Sequence, residues 1–316
     1  MSPFKEITDR NAWGALVGKR SPFLERAWED ALSSAFPYIH FKYFLYRDGY
    51  AVRVAAIRGR ATTVPFSDGG DVVALSGEPL LLSKFRDDCL AFFGPSCTLR
   101  VHESFCPVAD RGDLEPDVMD YRIALPNFGV ESIRKTLRHI LSEEVPQEVS
   151  IRTAQTPRDM RDAYRLYLRT MRAAKAFALP FSTFAHFSHD DVYLFLVNGN
   201  ARAASVFLTE KNTAHYFISA SDRAGKNLHA PHHLLFHALA EYQKRGFQSV
   251  FLGGVRAGSP LQTFKEGWRG TPCGMYTITD NSAHEKARRS PLRALWGLIP
   301  LVLLPKASKL AGKYVL

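Results

Sequence analysis

The stretch Ser249-Val-Phe-Leu-Gly-Gly-Val-Arg-Ala-Gly-Ser-Pro-Leu-Gln-Thr-Phe-Lys-Glu-Gly-Trp-Arg-Gly270 holds a strand, a turn and a helix start in close succession. Val250-Phe251-Leu252 is a short apolar run of buried-strand type, and Gly253-Gly254 ends it where the backbone must turn tightly or admit a ligand. Ser259 is a natural N-cap, Pro260 suits the first helical position, and Gln262 stands where a capping box needs it. In the helix that follows, Leu261, Phe264, Lys265 and Trp268 fall at i, i+3, i+4 and i+7, which predicts one shared face. An ammonium among apolar neighbours must find a partner, snorkel to water or face a substrate.

Outward from this stretch, the 316 residues are enough for two domains with ordinary cores. A hydrophobic content of 46% with 23% charged residues describes a globular chain. The four cysteines, Cys89, Cys97, Cys106 and Cys273, form no CxxC pair, so a reducing, cytoplasmic setting without a disulfide framework is expected. The opening residues lack the apolar core of a signal peptide. The net charge of +10 is uneven. From Glu285 onward, seven lysines and arginines against one glutamate contribute +6 of it, which argues against a nucleic-acid-binding body and against a DNA partner.

Both halves predict a similar order. Ser21-Pro22-Phe23 opens a helix with Leu24, Trp28 and Leu32 on one side, a hairpin turns at Asp48-Gly49, and Val64 to Asp71 is a loop. A helix with Phe85 and Cys89 inward, extended segments at 98–102 and 119–125, and a helix carrying Ile133 and Leu137 complete the first half. After Pro146, Glu148 to Thr153 predicts a strand. Thr156-Pro157 with Asp159 starts a helix, Asn198-Gly199 turns a hairpin within a meander, and Pro231 opens another helix. The expectation is an α/β (α+β) chain of two similar domains, 1–145 and 146–284, with the ligand in a cleft between them, followed by a tail, 285–316. In that tail Leu295 to Pro305 is too short to span a bilayer, which takes about 20 apolar residues. With its tryptophan and basic flanks it has the composition of a membrane-interface segment, the alternative being a terminal helix packed on the body.

His233, His237 and Glu241 share a helix face with metal-like spacing, but a solvated polar face explains them and no metal is assigned. Gly69-Gly70 and Gly253-Gly254 match neither a Walker A loop nor a dinucleotide fingerprint. The loop from Ser221 to Pro231 precedes a helix start that suits an anion, with Arg223 and Lys226 at hand.

Pro260-Leu-Gln-Thr-Phe-Lys-Glu-Gly-Trp268, the Leu-Gly-Gly strand end at 252–254 and the order of the second half resemble the FemAB-type transferases, whose domains have the GNAT acyltransferase fold. Ser21-Pro-Phe with Trp28 and the Pro65-Phe-Ser-Asp-Gly-Gly70 loop are similar to the amino-terminal domain of FemAB-like proteins found beside exopolysaccharide and protein-sorting genes. The resemblance implies two tandem GNAT-like domains, with Lys265 and Phe264 at the chemistry. It implies a substrate site drawn from Gly253, Gly254, Tyr216, Ser219, Arg223, Lys226, Ser67 and Asp68. Lys265 would stabilise the oxyanion formed as an amine attacks an activated acyl group. No tightly bound cofactor is implied. The donor is aminoacyl-tRNA or acyl-CoA, and the acceptor is an amine on a peptidoglycan, other cell-envelope or polysaccharide precursor at the inner face of the membrane. The chain departs from the family at Arg223-Ala-Gly-Lys-Asn, where the glycine stands one position early for the pattern that grips the coenzyme A pyrophosphate. The alternatives are an acyl-CoA-dependent N-acyltransferase for a small molecule and a non-catalytic membrane-associated assembly factor.

Overall fold

A computed structural model describes the chain apart from Met1, Lys19, Ala257, residues 280–295, Gly297, Leu298 and Leu316, so the first part of the basic tail lies outside the described residues. The first half runs β1 (Phe4–Ile7), α1 (Arg10–Val17), α2 (Arg26–Ala35), β2 (His40–Tyr46), β3 (Tyr50–Ile57), β4 (Arg60–Thr62), β5 (Val72–Ala74) and β6 (Leu80–Leu81). It continues through α3 (Leu82–Phe93), β7 (Thr98–His102), β8 (Val108–Ala109), β9 (Val118–Ala124) and α4 (Lys135–Ser142). The second half runs β10 (Val149–Thr153), α5 (Pro157–Ala173), α6 (Phe181–Phe184), β11 (Val192–Val197), β12 (Asn200–Glu210), β13 (Thr213–Ser221), α7 (Arg223–Asn227) and α8 (Ala230–Lys244). After these come β14 (Ser249–Phe251), β15 (Val255–Arg256), α9 (Pro260–Glu266), β16 (Thr271–Thr279) and α10 (Leu304–Val315).

One sheet crosses the whole molecule in the order β1-β2-β3-β4-β7-β16-β9-β14-β13-β12-β11-β10. Each half is an antiparallel meander ending in a parallel step, β4 beside β7 in one and β13 beside β14 in the other. Each is then continued by a strand from the other half: β16 pairs antiparallel with β7, and β9 pairs antiparallel with β14. The sheet therefore runs uninterrupted past the connection at Pro146. β16 is not predicted from the sequence, because Pro272 and Gly274 interrupt its apolar pattern and its pairing partners lie about 150–180 residues earlier.

Alternation along β11 sends Val192, Leu194 and Leu196 to one face and Tyr193 and Phe195 to the other. The first face packs on α5 and on residues of α2 such as Trp28 and Leu32, so both halves share that core. The second packs on α8 through Leu234, Leu235, Leu239 and Tyr242. α5 begins as its sequence dictates. Thr156 accepts from the Asp159 N–H, Asp159 accepts in return from the Thr156 N–H, and Pro157 takes the first turn.

Three expectations change. Ser21-Pro22 opens only a single 3-10 turn, Pro22–Leu24, which carries Leu24; the chain is extended at Glu25, and α2 with Trp28 and Leu32 starts afresh at Arg26. Arg223 to Asn227 forms the short helix α7 rather than a loop, because the Asp222 carboxylate caps it at the Gly225 N–H. The shared face expected of Leu261, Phe264, Lys265 and Trp268 divides: α9 ends at Glu266, Leu261 is 49% exposed, and Lys265 and Trp268 are buried.

Candidate active site

The geometry starts where β13 and β14 part. Their parallel pairing runs from Thr213 and Ser249 to His215 and Phe251 and stops there. β13 continues along β12, with a bulge that leaves Phe217 unopposed between Tyr216 and Ile218. The other chain turns at Gly253, whose φ is +80°, before β15 joins β9. A side chain at Gly253 is excluded twice over. Its φ favours glycine, and a Cβ would stand 2.9 Å from Asp68 Oδ2, 3.2 Å from the Tyr216 carbonyl oxygen and 3.6 Å from Lys265 Nζ. A Cβ on Gly254 would meet Val118 at 2.8 Å and Asp68 Oδ1 at 3.4 Å. The diglycine is thus the surface against which a carboxylate and an ammonium are both packed.

Asp68 comes from the loop between β4 and β5. Asp71 anchors that loop by accepting from the backbone N–H of Val64 at 3.0 Å and of Arg100 at 2.8 Å. Phe66 holds a left-handed conformation there, with its ring stacked on Phe36 at 5.5 Å. Burial pushes the Asp68 carboxyl above the usual carboxylate range, against the pull of Lys265. Lys265, on α9, is 4% exposed and donates to the Gly253 carbonyl at 2.5 Å. Burial lowers its pKa from the usual lysine value, and Asp120 and Asp68 oppose the shift. The ammonium therefore faces an enclosed polar cluster, not an open cleft.

That cluster contains three residues the sequence reading did not single out. Asp120 on β9 is buried, accepts from the Tyr121 N–H at 2.6 Å and lies 3.2 Å from His102 Nε2. The Ser104 N–H donates to His102 Nδ1 at 3.1 Å, so that nitrogen carries no proton and Nε2 donates to the carboxylate. His215 is 2% exposed, its ring lies parallel to Phe251 at 4.9 Å, and neither ring nitrogen has a hydrogen-bond partner among the described residues. Burial pushes its pKa down to about 4, so it stays neutral near pH 7. The available signal was polarity at inward positions of strands: Asp120, His102 and His215 each interrupt an apolar stretch.

The other expected residues divide between this cluster and a neighbouring groove. Ser67 is buried beside Asp68, with its hydroxyl unpartnered. Tyr216 contributes its carbonyl to the diglycine pocket. Phe264, Ser219 and Lys226 line a largely apolar groove of about 360 Å³ with His229, His232 and Leu261, and the Phe264 ring meets His232 at 4.9 Å. Arg223 is exposed on α7 and does not line the groove. Among the described residues there is no cluster of His, Cys, Asp and Glu able to hold a metal.

Residues 130–266 match the family model of an acetyltransferase (GNAT) domain. The chain has a GNAT acyltransferase fold. Across most of its length it is similar to the crystal structure of FemX, with a TM-score of 0.56 at 10% identity over 89% of this chain and 99% of that one. It is also similar to the C-terminal domain of a putative lysylphosphatidylglycerol synthetase from Agrobacterium fabrum, with a TM-score of 0.56 at 12% identity over 88% and 94% of the two chains. The structure of L-PGS from Bacillus licheniformis superposes with a TM-score of 0.51 at 11% identity over 90% and 97%. At such identities the likeness is one of fold. No protein of curated function matches the sequence.

Proposed function

We propose that the protein is an amide-forming acyl or aminoacyl transferase of FemAB type, acting on an amine of a cell-envelope or polysaccharide precursor. The observation that carries this reading is the Asp68 and Lys265 pair packed on Gly253-Gly254 at the parting of β13 and β14. In this reading the donor's acyl group enters by the apolar groove lined by Phe264, which shares α9 with Lys265, and its carbonyl carbon has to reach the diglycine beyond the groove. The free amine attacks that carbon, and the C–N bond forms as the amine's proton passes to Asp68, a carboxylate whose raised pKa suits it to accept one. The C–O or C–S bond to the leaving group then breaks, and the leaving oxygen or sulfur takes up a proton. Lys265 places a fixed positive charge beside the developing oxyanion in a site with little water.

The donor is read as aminoacyl-tRNA. Arg223-Ala-Gly-Lys-Asn on α7 departs from the pattern that grips the coenzyme A pyrophosphate, and its first turn is closed on itself: the Gly225 N–H is spent on Asp222 Oδ1 and the Lys226 N–H on the Asp222 carbonyl. The match to an acetyltransferase domain favours a second reading, transfer from acyl-CoA. Purified protein offered charged tRNA or acyl-CoA with an amino-sugar or peptide-bearing envelope precursor separates the two. Amide formation from charged tRNA alone is expected. Turnover with acyl-CoA alone would establish the second reading, and no transfer from either donor would overturn both.

A further inference from the structure

The outer surface of the α5 face carries a feature that the transfer chemistry does not use. α10 docks on the body through Leu304 and Ser308, both fully buried, and through Ala307 and Ala311. The Ser308 hydroxyl donates to the Leu304 carbonyl and accepts from the Ala178 N–H at 2.9 Å, while Trp296 Nε1 donates to the Ala176 carbonyl at 2.8 Å. α10 is thus fixed in place, with its other side turned outward. On that outward side Lys306 and Lys309 are exposed, and Leu310 is 67% exposed. Just before the helix, Val302 is 80% and Leu303 46% exposed.

α5 covers the same face of the sheet and packs beside the turn at Leu301–Leu303. Arg158, Arg161, Arg165, Arg169 and Arg172 recur on it at intervals of three and four residues, which makes one ridge along the helix. The first four are exposed. Asp162, the acid beside that ridge, pairs with Arg158 and Arg165 at 3.8 and 3.0 Å. Five arginines against one aspartate leave the ridge strongly positive. Both outward surfaces belong to neighbouring elements that pack on the same core cluster on one side of the sheet.

We propose that this side of the molecule is a docking surface for an anionic lipid bilayer. Val302, Leu303 and Leu310 enter the boundary between headgroups and acyl chains, and Lys306, Lys309 and the α5 arginines meet the lipid phosphates. A nucleic acid would use the same cations. It gives no role to three aliphatic side chains standing in water between them, and this favours lipid. No helix among the described residues is long and apolar enough to cross a membrane. The proposal stands apart from the transfer reaction and does not depend on it.

The test is co-sedimentation of the full chain with vesicles of phosphatidylcholine alone and of phosphatidylcholine mixed with phosphatidylglycerol, with uncharged tRNA as competitor. Binding is expected to the mixed vesicles and to weaken as salt rises. Val302→Ser with Leu310→Ser is expected to weaken it about tenfold or more. Lys306→Ala and Lys309→Ala are expected to weaken it about fivefold each. All four positions are exposed, and unchanged thermal melts would show that the variants fold. Failure to bind the mixed vesicles would overturn the proposal. So would serine variants that bind as well as the parent, or tRNA that is held by these cations while vesicles are not.

Discussion

Two carboxylates mark two kinds of region in this molecule. Asp159, at the start of α5, accepts two hydrogen bonds from Arg152 at 2.9 Å each and two more from the N–H groups of Gln155 and Thr156. The Arg152 guanidinium and these N–H groups hold its pKa well below the usual carboxylate range. All of its partners lie within eight residues of chain. Asp68 takes the Gly254 N–H instead, in a diglycine almost two hundred residues away, with Ser67, Lys265 and Asp120 around it, and burial raises its pKa. Where every lone pair is satisfied, a charged group contributes stability and little else. Where polar groups of the same cluster are buried with partners missing, as the His215 ring nitrogens and the Ser67 hydroxyl are among the described residues, the fold maintains a costly arrangement that a substrate can complete.

This contrast can be broken most sharply at Lys265. Lys265→Met keeps the packing of the stem and removes the charge. Amide formation is expected to slow about a thousandfold in kcat while the thermal melt still shows a folded protein. Asp68→Asn is expected to cost nearly as much, roughly 10²–10³ in kcat. It should also remove the acidic limb of the pH–rate profile, which in the parent lies above the ordinary carboxylate range because Asp68 must lose its proton before it can accept one. At the alkaline end the parent should lose activity below the usual lysine pKa, as Lys265 deprotonates.

His215 sharpens the stability side. Its folded pKa of about 4 lies below its unfolded value of about 6.5, so between these values the unfolded chain holds one more proton and stability falls as pH falls. The loss amounts to roughly 3 kcal/mol on reaching pH 4. His215→Phe, which keeps an aromatic ring against Phe251, should flatten that dependence in urea unfolding measured from pH 7 to pH 4. The smallest effect belongs to the satisfied region. Thr156→Ala should lower stability by about 1 kcal/mol in the same measurement, with kcat unchanged.

The same contrast explains what could be read from the sequence. The capping box at Thr156, the N-cap at Ser259, the hairpins at Asp48-Gly49 and Asn198-Gly199, and the strand ending in Gly253-Gly254 are local, and their residues announce them; only the reciprocal bond expected of Gln262 goes elsewhere, to the Gly258 N–H. The neighbourhood of Lys265 is not local. It joins Asp68 from a loop of the first half, His102 from β7, Asp120 from β9 and His215 from β13, and it exists because β9 pairs with β14 across the sheet. No spacing rule in one sequence encodes that crossing. β16 lacks a local signal for the same reason, since its place between β7 and β9 is set by partners far along the chain. The tail was legible in composition only. Its charge and apolar residues suggested an interface, and the packing of Leu304 and Ser308 shows which side is committed to the body.

The central claim is that Asp68 and Lys265 act together in one transfer step. A double-mutant cycle measures this most directly, comparing kcat for amide formation in the parent, Lys265→Met, Asp68→Asn and the double variant. The double variant is expected to be about as slow as Lys265→Met alone. Losses that multiply, or single variants as fast as the parent, would contradict the account.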